Sequence, residues 1–186
     1  MRRFIAPMFT LLTTLSTPLA GQAMSFGFAG TLGGDWGIEA LEFGLVAPVG
    51  LGPVRHVSAS ARAGFFADNR ASIITHQRGF VAALALAARS GTANLFEVGS
   101  EGSAPTRIGV DVTVEAAGYL AARSPLPEGK RWVSLALLPA LRIGEEGNTT
   151  FALLLGPAWF FGDKQRTHAF FGVRVDVPLA RGRGGP

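Results

Sequence analysis

The stretch Thr106–Leu120, TRIGVDVTVEAAGYL, decides the fold. Ile108, Val110, Val112, Val114, Ala116 and Leu120 occupy its even positions, while Arg107, Asp111, Thr113, Glu115 and Tyr119 occupy its odd ones. A period of two belongs to a β-strand, whose successive side chains point to opposite faces. Val54–Phe66 repeats the pattern, with Arg55, Val57, Ala59, Ala61, Ala63 and Phe65 against His56, Ser58, Ser60 and Arg62. So does Thr167–Leu179, with Ala169, Phe171, Val173, Val175, Val177 and Leu179 against His168, Phe170, Gly172, Arg174 and Asp176.

Working outward, Trp132–Ile143, Phe151–Phe161, Trp36–Ala47 and Ser25–Leu32 show the same alternation with less contrast. Arg78–Arg89 sets Phe80, Ala82, Leu84 and Leu86 against Val81, Ala83, Ala85 and Ala87. Ala and Leu also favour helix, but the segment is short and its neighbours are strands, so it is read as a strand. The intervals carry Gly, Pro, Asn and Asp turn chemistry, as at Gly33-Gly34-Asp35 and Pro48 through Pro53. Residues 90–105 form a long interval in which Leu95–Val98 is a ninth element or a fold-over segment. No internal repeat is evident, which disfavours a propeller or solenoid. The fold class expected is all-β, a single antiparallel up-and-down β-barrel of about eight strands. A β-sandwich and a mixed α/β fold are the competitors.

The chain has 186 residues, 25 of them Gly, no Cys, and only 16% charged residues. That length suits one domain. The lack of Cys excludes disulfides, Cys-based metal sites and a lipidated N-terminal Cys. Soluble globular domains average about a quarter charged residues, so the low value fits a wall that faces lipid. Arg2 and Arg3, the apolar stretch Phe4–Ala20 and the small residues around Gly21-Gln22-Ala23 make a secretory signal pattern. Residues 1–23 are therefore expected to be a signal peptide, 24–180 the barrel domain and 181–186 a flexible basic tail. Beyond the arginine pair, 15 basic and 13 acidic residues remain. No basic cluster with interleaved aromatics appears, so no nucleic-acid partner is expected.

Alternation alone does not say which face is outside. A membrane barrel is apolar outside and polar inside, and a soluble barrel is the reverse. Mid-strand charges of both signs, dense apolar rows and a low charge count favour the membrane. So do aromatics at strand ends: Trp36, Phe65-Phe66, Phe80, Trp132, Trp159-Phe160-Phe161 and Phe170-Phe171 are expected to form interfacial girdles. The alternation over 25–179, the signal segment and the final strand resemble small outer-membrane barrels of the OmpA/OmpX type. Gly172, Val175 and Val177 match the first part of the C-terminal insertion signal of such barrels. The chain departs from it after Leu179, where Ala180-Arg181-Gly182-Arg183-Gly184-Gly185-Pro186 replaces a terminal aromatic, and it has only one Tyr, Tyr119. The resemblance implies an outer-membrane location, contact with membrane lipid and with the outer-membrane insertion machinery, a monomer, and a filled interior without an open pore.

Chemistry is sparse. His56 and Ser58 share a strand face, as a base and nucleophile would need. They resemble the His-x-Ser arrangement of outer-membrane lipid A deacylases, although Ala59 stands where Asn is usual and the nearest downstream acid is Asp68. Asp111 and Glu115 lie about 13 Å apart along a strand, beyond the separation of about 5–9.5 Å used by paired glycosidase carboxylates. A polar network in the lumen, built from Arg62, Arg107, Asp111, Glu115, Arg174 and Asp176, is the expected role of these charges. The isolated His56, His76 and His168 offer no metal-ligand spacing, and no cofactor is expected. The functions that follow are an envelope-structural, surface-contact or small-ligand role for an outer-membrane barrel, with loops 67–77 and 121–130 as contact surfaces. The rivals are a periplasmic or secreted barrel holding a small apolar ligand, and an envelope-lipid hydrolase using His56 and Ser58.

Overall fold

The computed structural model describes residues 22–33, 36–68, 78–99, 105–121, 131–145, 148–162 and 165–179. The chain up to residue 21, most of the two candidate contact loops, and the tail 181–186 lie outside the described residues. The strands are β1 (Ala23–Leu32), β2 (Trp36–Leu51), β3 (Val54–Asp68), β4 (Arg78–Ser90), β5 (Ala93–Val98), β6 (Thr106–Ala121), β7 (Arg131–Ile143), β8 (Thr150–Phe161) and β9 (Arg166–Pro178). The described residues contain no helix, so Arg78–Arg89 is a strand despite its Ala and Leu content. Tertiary pairing outweighs intrinsic propensity here.

Every pairing is antiparallel, and the order β4-β3-β2-β1-β9-β8-β7-β6-β5 is closed by a β4–β6 ladder. Eight strands thus form a barrel and β5 stands outside the ring. Closure removes the open edges that make a flat sheet prone to pairing with other chains. Registry can be followed around the wall from Asp176 through Ser25, Gly44, Ser60, Ala85, Ala117, Ser134 and Phe160. It returns to β9 at Arg166, ten residues along. Such a stagger requires strands tilted by about 35–45°. The β7–β8 ladder has no partners over 137–139 and 155–157, the segments holding Pro139 and Pro157, which have no N–H to donate.

Within the ambiguous interval, Ala93–Val98 form β5, which continues the course of β4 beside β6. Both β4 and β5 pair with β6 on the same side, β4 as far as Arg89↔Thr113 and β5 from Ala93↔Val110. Between them residues 91–92 leave the strand, and Ser90 Oγ accepts a hydrogen bond from the Val112 amide at 3.0 Å. β3 begins at Val54 opposite Ser90, so nothing described flanks the second edge of β5. The hairpin of β5 and the start of β6 therefore projects past the barrel rim. That rim also carries the ends of β2 and β9 and the turn at Gly52, whose φ of +60° suits glycine. It is called the terminus rim below. The opposite rim, where β1 turns into β2 and β8 into β9, is the loop rim.

The apolar rows face outward. Val110, Val112 and Val114 are 39%, 43% and 46% exposed, and Leu41, Phe43, Leu84, Leu86, Leu135, Leu137, Leu153 and Leu155 join them. Among the wall-strand residues whose burial is described, the exposed charges are Glu39, Arg55 and Arg131, each close to a strand end. The core lies inside the ring. It combines small residues such as Ala83, Ala85, Ala136, Ala140 and Ala152 with large aromatics and buried charges.

Candidate functional site: the filled lumen

The lumen is stratified along the barrel axis. Nearest the loop rim is an aromatic layer of Trp36, Phe66, Trp132 and Phe160, each at most 4% exposed. Phe66 stacks on Trp132 with ring centroids 5.5 Å apart, Trp36 meets Phe160 edge-on at 5.0 Å, and the His168 ring lies 4.1 Å from Trp36. Phe170 sits a little deeper, under the guanidinium of Arg62 at 5.4 Å. Offset and edge-on contacts of this kind suit the aromatic quadrupole. The girdle expected from these residues is thus corrected. Trp36, Phe66, Trp132, Phe160 and Phe170 face inward, while Phe65, Phe80 and Phe161 face outward. Adjacent aromatics on a strand must point to opposite sides, so Phe65-Phe66 and Phe160-Phe161 each split between lumen and exterior.

Below the aromatics lies a central charge layer. Arg62 Nε donates to Glu42 Oε2 at 2.7 Å, Nη1 to the Tyr119 hydroxyl at 3.0 Å and Nη2 to Glu115 Oε2 at 2.6 Å. Arg174 Nη2 reaches Glu42 Oε1 at 2.7 Å and Glu115 Oε2 at 3.6 Å. Two guanidiniums and two carboxylates therefore neutralise each other where the side chains of Arg62 and Glu115 are 1% exposed. The pairing follows from registry. Glu42 is directly opposite Arg62 on the β2–β3 ladder, and Glu115 and Tyr119 enter from β6.

A second charge layer lies toward the terminus rim. Arg142 Nε donates to Asp111 Oδ2 at 2.6 Å, and its Nη1 to Asp176 Oδ2 at 3.1 Å and Thr150 Oγ1 at 3.2 Å. Arg89 Nη1 donates to the same Asp176 Oδ2 at 2.9 Å. Again two arginines face two aspartates. Asp111 Oδ1 and Thr113 Oγ1 are buried without a hydrogen-bond partner, as polar groups served by internal water would be.

The predicted network residues thus fall in different places. Arg62, Glu115 and Arg174 meet in the central layer, and Asp111 and Asp176 in the lower one. Arg107 belongs to neither layer. It stands on the projecting hairpin, 41% exposed, with Nε 2.8 Å from Glu97 and Nη1 3.0 Å from Glu145. Its row is that of Asp111, but Arg107 pairs across from Glu97 of β5, outside the ring. Glu42, Arg142 and Arg89 complete the layers and were not singled out in the sequence. Each is the lone charged residue on the inward row of its strand, and only the pairing around the barrel gives it partners.

His56 and Ser58 lie on the inward row of β3. With Arg89, Thr113 and Arg174 they line a cavity of about 10 Å³, room for about one water. An acyl chain does not fit there. Asp68, the nearest downstream acid, is at the opposite end of β3. Among the described residues no group of three His, Cys, Asp or Glu side chains is placed to hold a metal ion.

The class these features define is a closed eight-stranded antiparallel barrel of inverted polarity, with charges and aromatics inside and aliphatics outside. No family model matches the chain, and neither a curated protein nor a solved structure matches it.

Proposed function

We propose that this chain is an outer-membrane barrel protein of the OmpA/OmpX-like type, with a structural or surface-contact role and no open pore. One observation carries the reading: the aliphatic rows are on the outside of the closed ring and the charges on the inside. In water this arrangement loses twice. Apolar burial is worth about 25 cal/mol per Å², and the outer wall forgoes it. Charges taken from water into the lumen carry a desolvation cost of several kcal/mol each. In a bilayer the outer wall meets hydrocarbon, and the closed ladder pairs the backbone around the ring, interrupted in the β7–β8 ladder only beside Pro139 and Pro157. A soluble carrier of an apolar ligand needs Val110, Val112 and Val114 inside, and they point outward.

Absence of a pore follows from filling. The aromatic layer and the two charge layers occupy the interior, as expected for eight strands. The reading assigns contact with membrane lipid to the wall and contact with other molecules to the loops.

The test is fractionation of cells expressing the full chain, followed by gels run with and without boiling. The expected result is recovery with the outer membrane and a mobility that changes on boiling, because a closed barrel resists detergent until heated. Recovery in the soluble fraction with one mobility would overturn the reading.

A further inference from the structure

The hairpin that projects past the terminus rim has no role in closing the barrel, and every residue of β5 is exposed. Its two faces are unlike. Phe96 pairs across from Ile108, and Ala93 from Val110, so Phe96 and Val98 extend the outward row that continues along β6 through Val112 and Val114. The opposite face carries Glu97 against Arg107, itself tied to Glu145 at the end of β7. The hairpin therefore repeats the polarity of the wall, aliphatic and aromatic outside, ionic inside. The rest of that rim carries large exposed apolar side chains too: Leu51 is 68% exposed and Leu179 48%, beside 53% for Phe96 and 55% for Val98.

We infer that the β5–β6 hairpin is a membrane-interface element, whose Phe96 and Val98 dip into the lipid of the leaflet at the terminus rim. The inference rests on the membrane reading and adds a depth to it. The free edge of β5 exposes backbone N–H and C=O groups, which cannot be left unpaired in hydrocarbon. The hairpin must then lie at headgroup level, where water serves that edge while an aromatic and a branched side chain reach the acyl chains. Phe, whose ring has no polar group, suits the apolar side of such an interfacial element. The Glu97–Arg107–Glu145 cluster on the inner face fixes the hairpin with its apolar side outward.

The chain has no cysteine, so single spin labels can be placed without background. Phe96→Cys, Glu97→Cys, Val98→Cys and the mid-wall Val114→Cys would each be labelled in the full chain refolded into phosphatidylcholine vesicles. Collision with oxygen, which favours lipid, is compared with collision with a water-soluble nickel chelate. Labels at 96 and 98 are expected to meet oxygen several-fold more often than nickel, as the label at 114 does, with the ratio reversed at 97. Water-like values at 96 and 98 with a lipid-like value at 114 overturn the hairpin proposal and leave the wall reading standing. A water-like value at 114 overturns both. Protection of 96 and 98 from both reagents means that a second copy covers the strand, and also overturns the proposal. If a label at 96 prevents folding, judged by mobility on unboiled gels, a label at Ile108, its cross-strand neighbour, answers the same question.

Discussion

Two ionic clusters in this molecule have nearly the same chemistry and opposite surroundings. Around Arg62, two carboxylates and a tyrosine hydroxyl meet one guanidinium inside a closed wall, with side chains 1–3% exposed. Around Arg107, two carboxylates meet one guanidinium on a hairpin, with side chains 41–48% exposed. The distances do not distinguish them, at 2.6 Å for the buried pairs and 2.8 and 3.0 Å for the exposed ones. The surroundings do. A buried charge that loses its partner stays in a low-dielectric site, whereas an exposed one returns to water. Geometry alone therefore misjudges the weight of an ion pair, and the position of the rim decides it.

The largest effect expected is from Arg62→Met. It leaves Glu42 and Glu115 facing each other with only Arg174 between them, a loss of about 3–5 kcal/mol. The folded fraction of refolded chain across a urea series, read from unboiled gels, gives the number. Replacing all four residues of the layer, Arg62, Arg174, Glu42 and Glu115, with Met or Leu should restore most of that loss, because apolar residues of similar volume often match a buried ion network. If the fourfold variant is no more stable than Arg62→Met, the layer contributes attraction well beyond its desolvation cost.

The aromatic layer separates burial from charge. Trp36→Ala removes a ring in contact with Phe66, Trp132, Phe160 and His168. A cavity of that size costs about 3 kcal/mol, measured in the same urea series. Because no charge is involved, the loss should not change between low and high salt. A salt-dependent loss would show that the layer shields the ionic layer beneath it rather than simply filling space.

Much of the architecture was legible from period two. Strand existence, the extent of β6 and the opposition of apolar and charged rows follow from single stretches such as Thr106–Leu120. Three things did not follow. Aromatics near strand ends suggest girdles, but parity decides their side, and Phe65-Phe66 and Phe160-Phe161 each split between the two faces. Glu42 and Arg142 do not stand out in the sequence because their partners, Arg62 and Asp111, come from neighbouring strands, and registry around a barrel is a long-range property. Arg107 shares a row with Asp111, and the sequence does not mark where β4 gives way to β5 beside β6. Past the end of the β4–β6 ladder, Ser90 Oγ takes the Val112 amide in place of a backbone carbonyl.

The position of Arg107 outside the ring gives the smallest expected effect and the sharpest form of the comparison. Arg107→Ala removes a guanidinium with two carboxylate partners, as Arg62→Met does. Glu97 and Glu145 are 48% and 45% exposed, so each can take water in place of the lost cation. Exposed pairs are worth about 0–1 kcal/mol and are weakened by salt. Arg107→Ala should therefore shift the urea midpoint little at low salt and not at all at high salt. A loss comparable to that of Arg62→Met would mean that the hairpin is covered in the folded protein, and that the wall closes further toward the terminus rim than the β4–β6 ladder does.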